Sequence, residues 1–115
     1  MALLTGKVFI TEEPEADQEV SVFIRLLDTS LSDVSSIQVG EVVYKQVKLT
    51  HLFSLGFPFQ MKVDTLHPHL RYTVSVLVDL DKDGKKGKGD YISKQSYPVL
   101  TKGYPNYVEV VVSKI

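Results

Sequence analysis

Arg71-Tyr72-Thr73-Val74-Ser75-Val76-Leu77-Val78 runs into Asp79-Leu80-Asp81-Lys82-Asp83-Gly84-Lys85-Lys86-Gly87-Lys88-Gly89-Asp90, and residues 91–99 follow. The twelve-residue stretch has the register of a calcium loop. Asp79, Asp81 and Asp83 occupy its first, third and fifth places, Gly84 the sixth and Asp90 the twelfth. Short carboxylates at alternate positions converge on a hard cation as the chain curls around it. The glycine permits a turn that other residues enter only at a steric cost. An EF-hand would flank such a loop with amphipathic helices. Here Tyr72, Val74, Val76 and Val78 alternate with Arg71, Thr73, Ser75 and Leu77, a two-residue period rich in β-branched side chains. The loop is therefore expected at the tip of a β-hairpin.

The same residues give the expected ligand set. Asp79, Asp81, Asp83 and Asp90 would supply carboxylate oxygens to Ca2+, and Lys85 its main-chain carbonyl, with water in the remaining places. Aspartate at the twelfth place is shorter than the usual glutamate. Lys82, Lys85, Lys86 and Lys88 cancel the charge of the four aspartates. Both features point to low affinity, on the order of 10⁻⁴ M or weaker. The competing role is a polar hairpin tip whose charges keep the end of a sheet soluble.

Outward from the loop, the pattern is strand after strand. Residues 4–10 read as a first strand, with Gly6 marking a bulge near its start. Acidic residues 11–17, with Pro14, form a connection. Glu19–Asp28 is a second strand whose Val20, Val22, Ile24 and Leu26 share a face. Residues 37–47 form a third, and its apolar phase changes at Gly40, as one extra residue there would cause. Residues 48–56 carry no clear period. Residues 57–64 form a strand that Pro58 confines to an edge. Pro98 ends strand 91–99 or places it at an edge, and Tyr107–Lys114 is the last strand. About seven strands without a long helical period predict an all-β fold, a single-domain antiparallel β-sandwich over residues 1–115. Its expected core includes Val20, Val22, Ile24, Val74, Val76, Val108 and Val110.

Composition narrows the function classes. The 115 residues hold 13 basic and 14 acidic side chains, so nucleic acid is not indicated as a partner. No apolar run reaches the length of a membrane span. Without cysteine, there is no disulfide, zinc-thiolate site or thiol nucleophile. Neither a nucleophile elbow, nor a phosphate-binding glycine loop, nor a His-Glu-x-x-His pair is present. His67 and His69 flank Pro68 and could share a transition metal, although two histidines in one turn are more often surface residues. His51, beside Leu52, reads as structural. Tyr91, Tyr97, Tyr104 and Tyr107 cluster late in the chain and either cover the ends of the fold or form an interface.

Four segments resemble the YbaY/YscW-type family of small bacterial lipoproteins, some of them pilotins of type III secretion. They are Val-Phe-Ile-Arg-Leu-Leu-Asp-Thr-Ser-Leu-Ser-Asp at 22–33, Phe-Pro-Phe-Gln at 57–60, Arg-Tyr-Thr-Val-Ser-Val at 71–76 and Tyr-Pro-Val-Leu-Thr at 97–101. The resemblance implies a non-enzymatic domain that binds a protein or cell-envelope component. It implies a periplasmic or extracellular place for a chain whose signal has been removed; a complete chain would be cytoplasmic. The chain departs from the family in having no cysteine to lipidate and in its longer, more acidic loop at 79–90. The alternative is a small enzyme or small-molecule-binding sandwich whose site forms only in three dimensions.

Overall fold

In the computed structural model, the described residues are 2–30, 36–53, 55–80, 87 and 89–115. The chain is all-β. Its strands are β1 (Ala2–Ile10), β2 (Glu19–Asp28), β3 (Ile37–Lys48), β4 (Phe57–Val63), β5 (Tyr72–Asp79), β6 (Tyr91–Ser93), β7 (Pro98–Val99) and β8 (Tyr107–Lys114). A 3-10 turn, Leu49–Leu52, fills the stretch without a period and buries both its leucines.

In detail, the strands join one sheet instead of two facing ones. Its order is β3-β2-β5-β6-β8-β1-β4, with β7 beside β5. The ends of the sheet, β3 and β4, come back toward each other, so the sheet is nearly closed like a barrel. Tyr44 of β3 packs edge-on to Phe57 of β4 at 5.1 Å between ring centres. Its hydroxyl accepts the Gln60 amide at 3.1 Å and donates to the Gln60 carbonyl at 3.3 Å. Strand-like alternation is the same in a sandwich and a barrel, because both have one covered face. Among the described strands, all pairings are antiparallel except β1 with β8, where Thr5↔Tyr107 runs in parallel through to Ile10↔Val112; an isolated parallel bridge also joins Ile10 to Phe53.

Alternation places the core. Leu4, Val8 and Ile10 of β1, Val20 to Leu26 at even positions of β2, Val74, Val76 and Val78 of β5, and Val110 and Val112 of β8 converge inside. Val108 is only half-buried. Strand β6 pairs with β8 no further than Ser93↔Val112, so the flank of β8 before that point has no neighbouring strand. Tyr97 covers part of it, its hydroxyl accepting the Val111 amide at 3.0 Å and donating to the Val111 carbonyl at 3.2 Å. Tyr44 and Tyr97 thus do the same work at two gaps in the sheet.

Gly6 is not a bulge. The β1–β4 register runs unbroken from Ala2↔Val63 to Val8↔Phe57. Gly6 instead makes room, since a Cβ there would lie 2.8 Å from the Phe59 ring. The extra residue of β3 is Val39, because Leu26 pairs Gly40 while Leu27 pairs Gln38. A second extra residue lies between Val47 and Tyr44, where Gln46 has φ of 59°. Both proline expectations hold in outline: Pro58 lies on terminal strand β4, and Pro98 on the two-residue β7.

Candidate functional site

The root of the acidic loop is the first place to look. Asp79 ends β5 and Asp90 immediately precedes β6, and both are buried, at 0% and 1% exposure. One Asp90 oxygen accepts the Leu80 amide at 2.9 Å and the other the Gly87 amide at 3.0 Å. The Asp90 carbonyl accepts the amide of Ile115 at 2.9 Å. Asp90 therefore ties both limbs of the loop and the C-terminal residue together. Asp81, Asp83 and Lys85 lie outside the described residues. Among the described residues, no group of three or more His, Cys, Asp or Glu side chains could hold a metal ion.

His67 and His69 are exposed, with ring centres 5.8 Å apart. Asp28 lies close enough to feel both rings. The hydrogen bond from the Ser30 hydroxyl, then that from the Ser30 amide, hold its carboxyl below the usual value; the two histidines add a smaller effect in the same direction. His51 is exposed on the 3-10 turn.

At the end of the sheet opposite the acidic loop, where β5 begins, lies a cavity of about 440 Å³. The backbone there is tightly tied. The Arg71 amide donates to Ser30 Oγ at 2.7 Å, and the Arg71 carbonyl accepts the Thr29 amide at 2.9 Å. Thr101 Oγ1 donates to the Leu70 carbonyl at 2.6 Å, and Thr73 Oγ1 accepts the Tyr97 amide at 2.9 Å. Ser96 Oγ lies 3.3 Å from Thr73 Oγ1. This frame presents two cations, Arg71 and Lys102, beside the ring of Tyr104, which is 50% exposed. Among the described residues, no acid and no histidine lines the cavity.

Lys102 belongs to a turn with an unusual backbone. Leu100 and Lys102, both with side chains, have φ of 73° and 60°, and Gly103 has φ of 88°. Such conformations cost on the order of 1 kcal/mol or more where a Cβ is present. The turn is held by the Leu100 amide to the Pro105 carbonyl at 3.0 Å and the Tyr104 amide to the Thr101 carbonyl at 3.1 Å.

Arg71 and Lys102 carry no local motif, which is why sequence patterns passed over them. They lie on separate segments and meet only because β7 pairs Tyr72↔Val99 and Thr73↔Pro98. Of the late tyrosines, Tyr91 packs on the core, Tyr97 is half-buried over β8, and Tyr104 and Tyr107 are exposed. The Tyr107 hydroxyl donates to Glu109 Oε2 at 2.9 Å, and that bond raises its phenol above the usual value. The most exposed of the large hydrophobic side chains among the described residues is Leu55, at 81%.

Comparison with known proteins bears on this arrangement. The family described as "Type III secretion system lipoprotein chaperone (YscW)" matches residues 1–112. No curated protein matches the sequence. Among solved structures, an alternative pilotin from the type II secretion system of Vibrio cholerae superposes with a TM-score of 0.79 at 20% identity, covering 99% of this chain and 96% of that one. At that identity the likeness is one of fold.

Proposed function

The chain belongs to the YscW family of type III secretion system lipoprotein chaperones, and on that premise we propose that it is a non-enzymatic protein-binding module acting on a component of a secretion apparatus in the cell envelope. The carrying observation is the family match over residues 1–112. The fold shared with a type II secretion pilotin supports it. The chemistry of the cavity at Arg71 agrees, for its described lining offers cations, hydroxyls and an exposed aromatic ring and no general base. A rigid ring with a polar tip is a common contact at protein interfaces. The test is a photo-crosslinking amino acid at Tyr104, and separately at Leu55, in the native host. A crosslink to a protein of a secretion apparatus is expected from Tyr104. Crosslinks only to unrelated cytosolic proteins, or none at either position, would count against the proposal.

For the loop we propose weak calcium binding by Asp79, Asp81, Asp83 and Asp90 and the Lys85 carbonyl. The burial of both root carboxylates favours it. Isothermal titration at millimolar calcium should give heat, and the thermal midpoint should rise with saturation. Neither response at several millimolar would leave the loop as a solvated turn.

A further inference from the structure

We propose that the cavity bounded by Arg71, Lys102 and Tyr104 is a carboxylate-binding site that takes an acidic side chain of a protein client. The proposal rests on the chain being a protein-binding module and names the chemistry that the module recognises.

Charge is the first argument. Two cations share one cavity, and no acid among the described residues lines it. The two ion pairs among the described residues are Arg25–Glu41 and Lys48–Asp17, so neither cation is paired with a described acid. Holding two like charges together disfavours the empty state and favours an anion between them. Arginine supplies a planar fork that matches a carboxylate in two parallel hydrogen bonds, and lysine adds a mobile point charge.

Preorganisation is the second. The Arg71 backbone is fixed on both sides, by Ser30 and Thr29, so only its side chain needs ordering when a ligand arrives. The hydroxyls of Thr73 and Thr101 already serve the frame, through Tyr97 and Leu70, and hold the walls in place. The third argument is strain. Lys102 sits at a left-handed backbone position that glycine would occupy without cost, in a turn that also strains Leu100. A lysine kept there at a cost in stability points to a use for its charge.

A peptide fits this site better than an isolated small anion. Pro98 and the Tyr104 ring give apolar wall next to the cations, suited to the aliphatic part of a glutamate and to its neighbours in an extended chain.

The probe is an N-acetylated, C-terminally amidated hexapeptide of alternating leucine and glutamate, titrated into the isotope-labelled full chain. Amide shifts at Thr73, Ser96 and Lys102 are expected, weakening as salt is raised. The same peptide with glutamine for glutamate should bind at least about tenfold more weakly, because charge-assisted bonds are lost. Arg71→Gln with Lys102→Gln should cause a similar loss and leave the amide spectrum elsewhere unchanged. Lys102→Gly separates function from structure: it should raise the thermal midpoint and weaken the peptide. Equal binding of both peptides, or undiminished binding by the double variant, would overturn the proposal. So would shifts at these amides with inorganic phosphate or phosphatidylglycerol vesicles alone. Crosslinking through Tyr104 that survives in the double variant would sink the carboxylate site while leaving the protein-binding function standing. Peptide binding without any client crosslink would support the site and remove the function.

Discussion

Gly6→Ala is the sharpest test of how the sheet is assembled. Gly6 sits in β1 between antiparallel β4 and parallel β8, paired with Phe59 on one side and Val108 on the other. An added Cβ falls far inside contact distance of the Val108 carbonyl oxygen and 2.8 Å from two atoms of the Phe59 ring. Carbon contacts are most favourable at roughly 3.5–4.0 Å, so the ring would have to recede by about 0.7 Å or more. The ring is buried, at 4% exposure, and the carbonyl is backbone, so neither yields cheaply. Overpacking costs about 1–3 kcal/mol, and backbone involvement places this case at about 3. Replacing glycine also stiffens the unfolded chain, which returns roughly 0.5 kcal/mol. A net loss of about 2.5 kcal/mol follows. With an unfolding entropy of about 2.1 cal/mol/K per residue, the thermal midpoint should fall by about 10 °C. Urea unfolding followed by circular dichroism measures the loss, with the slope unchanged. Adding Phe59→Leu should recover only part of it, because the carbonyl contact remains. Gly40→Ala is the control. Its Cβ would meet the Met61 sulfur at 3.2 Å, the far part of a flexible side chain, and a change within about 0.5 kcal/mol is expected. A Gly6→Ala variant as stable as the parent would refute the close approach of β8 to β1.

Tyr44→Phe and Tyr97→Phe should each cost about 1 kcal/mol and speed hydrogen exchange at the amides of Gln60 and Val111, respectively, since each hydroxyl replaces a missing strand neighbour; unchanged exchange would mean that water serves as well. Asp28 has a lowered folded-state pKa, so its contribution to stability is present above the unfolded-state value and is lost as pH falls through the folded one. Ser30→Ala should raise the Asp28 midpoint in a carboxyl-carbon NMR titration and shrink that acid-sensitive contribution. Asp90→Ala in the presence of a chelator should cost about 1–3 kcal/mol, because it leaves the half-buried amides of Leu80 and Gly87 without their acceptor, with Asp90→Asn milder. A variant that is neutral without calcium would show that these two hydrogen bonds carry no net stability.

Local pattern carried a long way where one face alone is covered. Glu19–Asp28 and Tyr107–Lys114 have the ends that alternation predicts, and Val20, Val22, Ile24, Val74, Val76 and Val110 are buried as expected. The phase change at Gly40 located a bulge to within one residue, at Val39. Sheet closure was not legible, because the period of two says which face is inward and nothing about which strand lies next door. The parallel β1–β8 pair joins opposite ends of the chain, which no local signal records. The single strand expected over residues 91–99 divides into β6 and β7 around the polar Lys94, Gln95 and Ser96. Side-chain hydroxyls bridge the break: Ser93 Oγ accepts the Val76 amide at 2.9 Å, and Thr73 Oγ1 accepts that of Tyr97.

The two candidate sites were unequally legible for a physical reason. A loop that closes on a cation draws its ligands from consecutive residues, so its spacing is visible before any fold is known. The calcium-loop spacing at 79–90 is of this kind; of its residues, Asp79 ends β5, Asp90 precedes β6, and both are buried. A carboxylate site needs only two cations at the right separation, and a sheet can draw them from any two segments that it makes neighbours. Arg71 precedes β5, and Lys102 follows β7; a pairing of two residues on each strand brings them to one cavity. Their meeting depends on β7 keeping that register. A slip of one residue would move Pro98 opposite a different partner and turn the Leu100–Gly103 turn away from Arg71. The left-handed backbone of that turn, at Leu100, Lys102 and Gly103, is likewise absent from any spacing in the sequence.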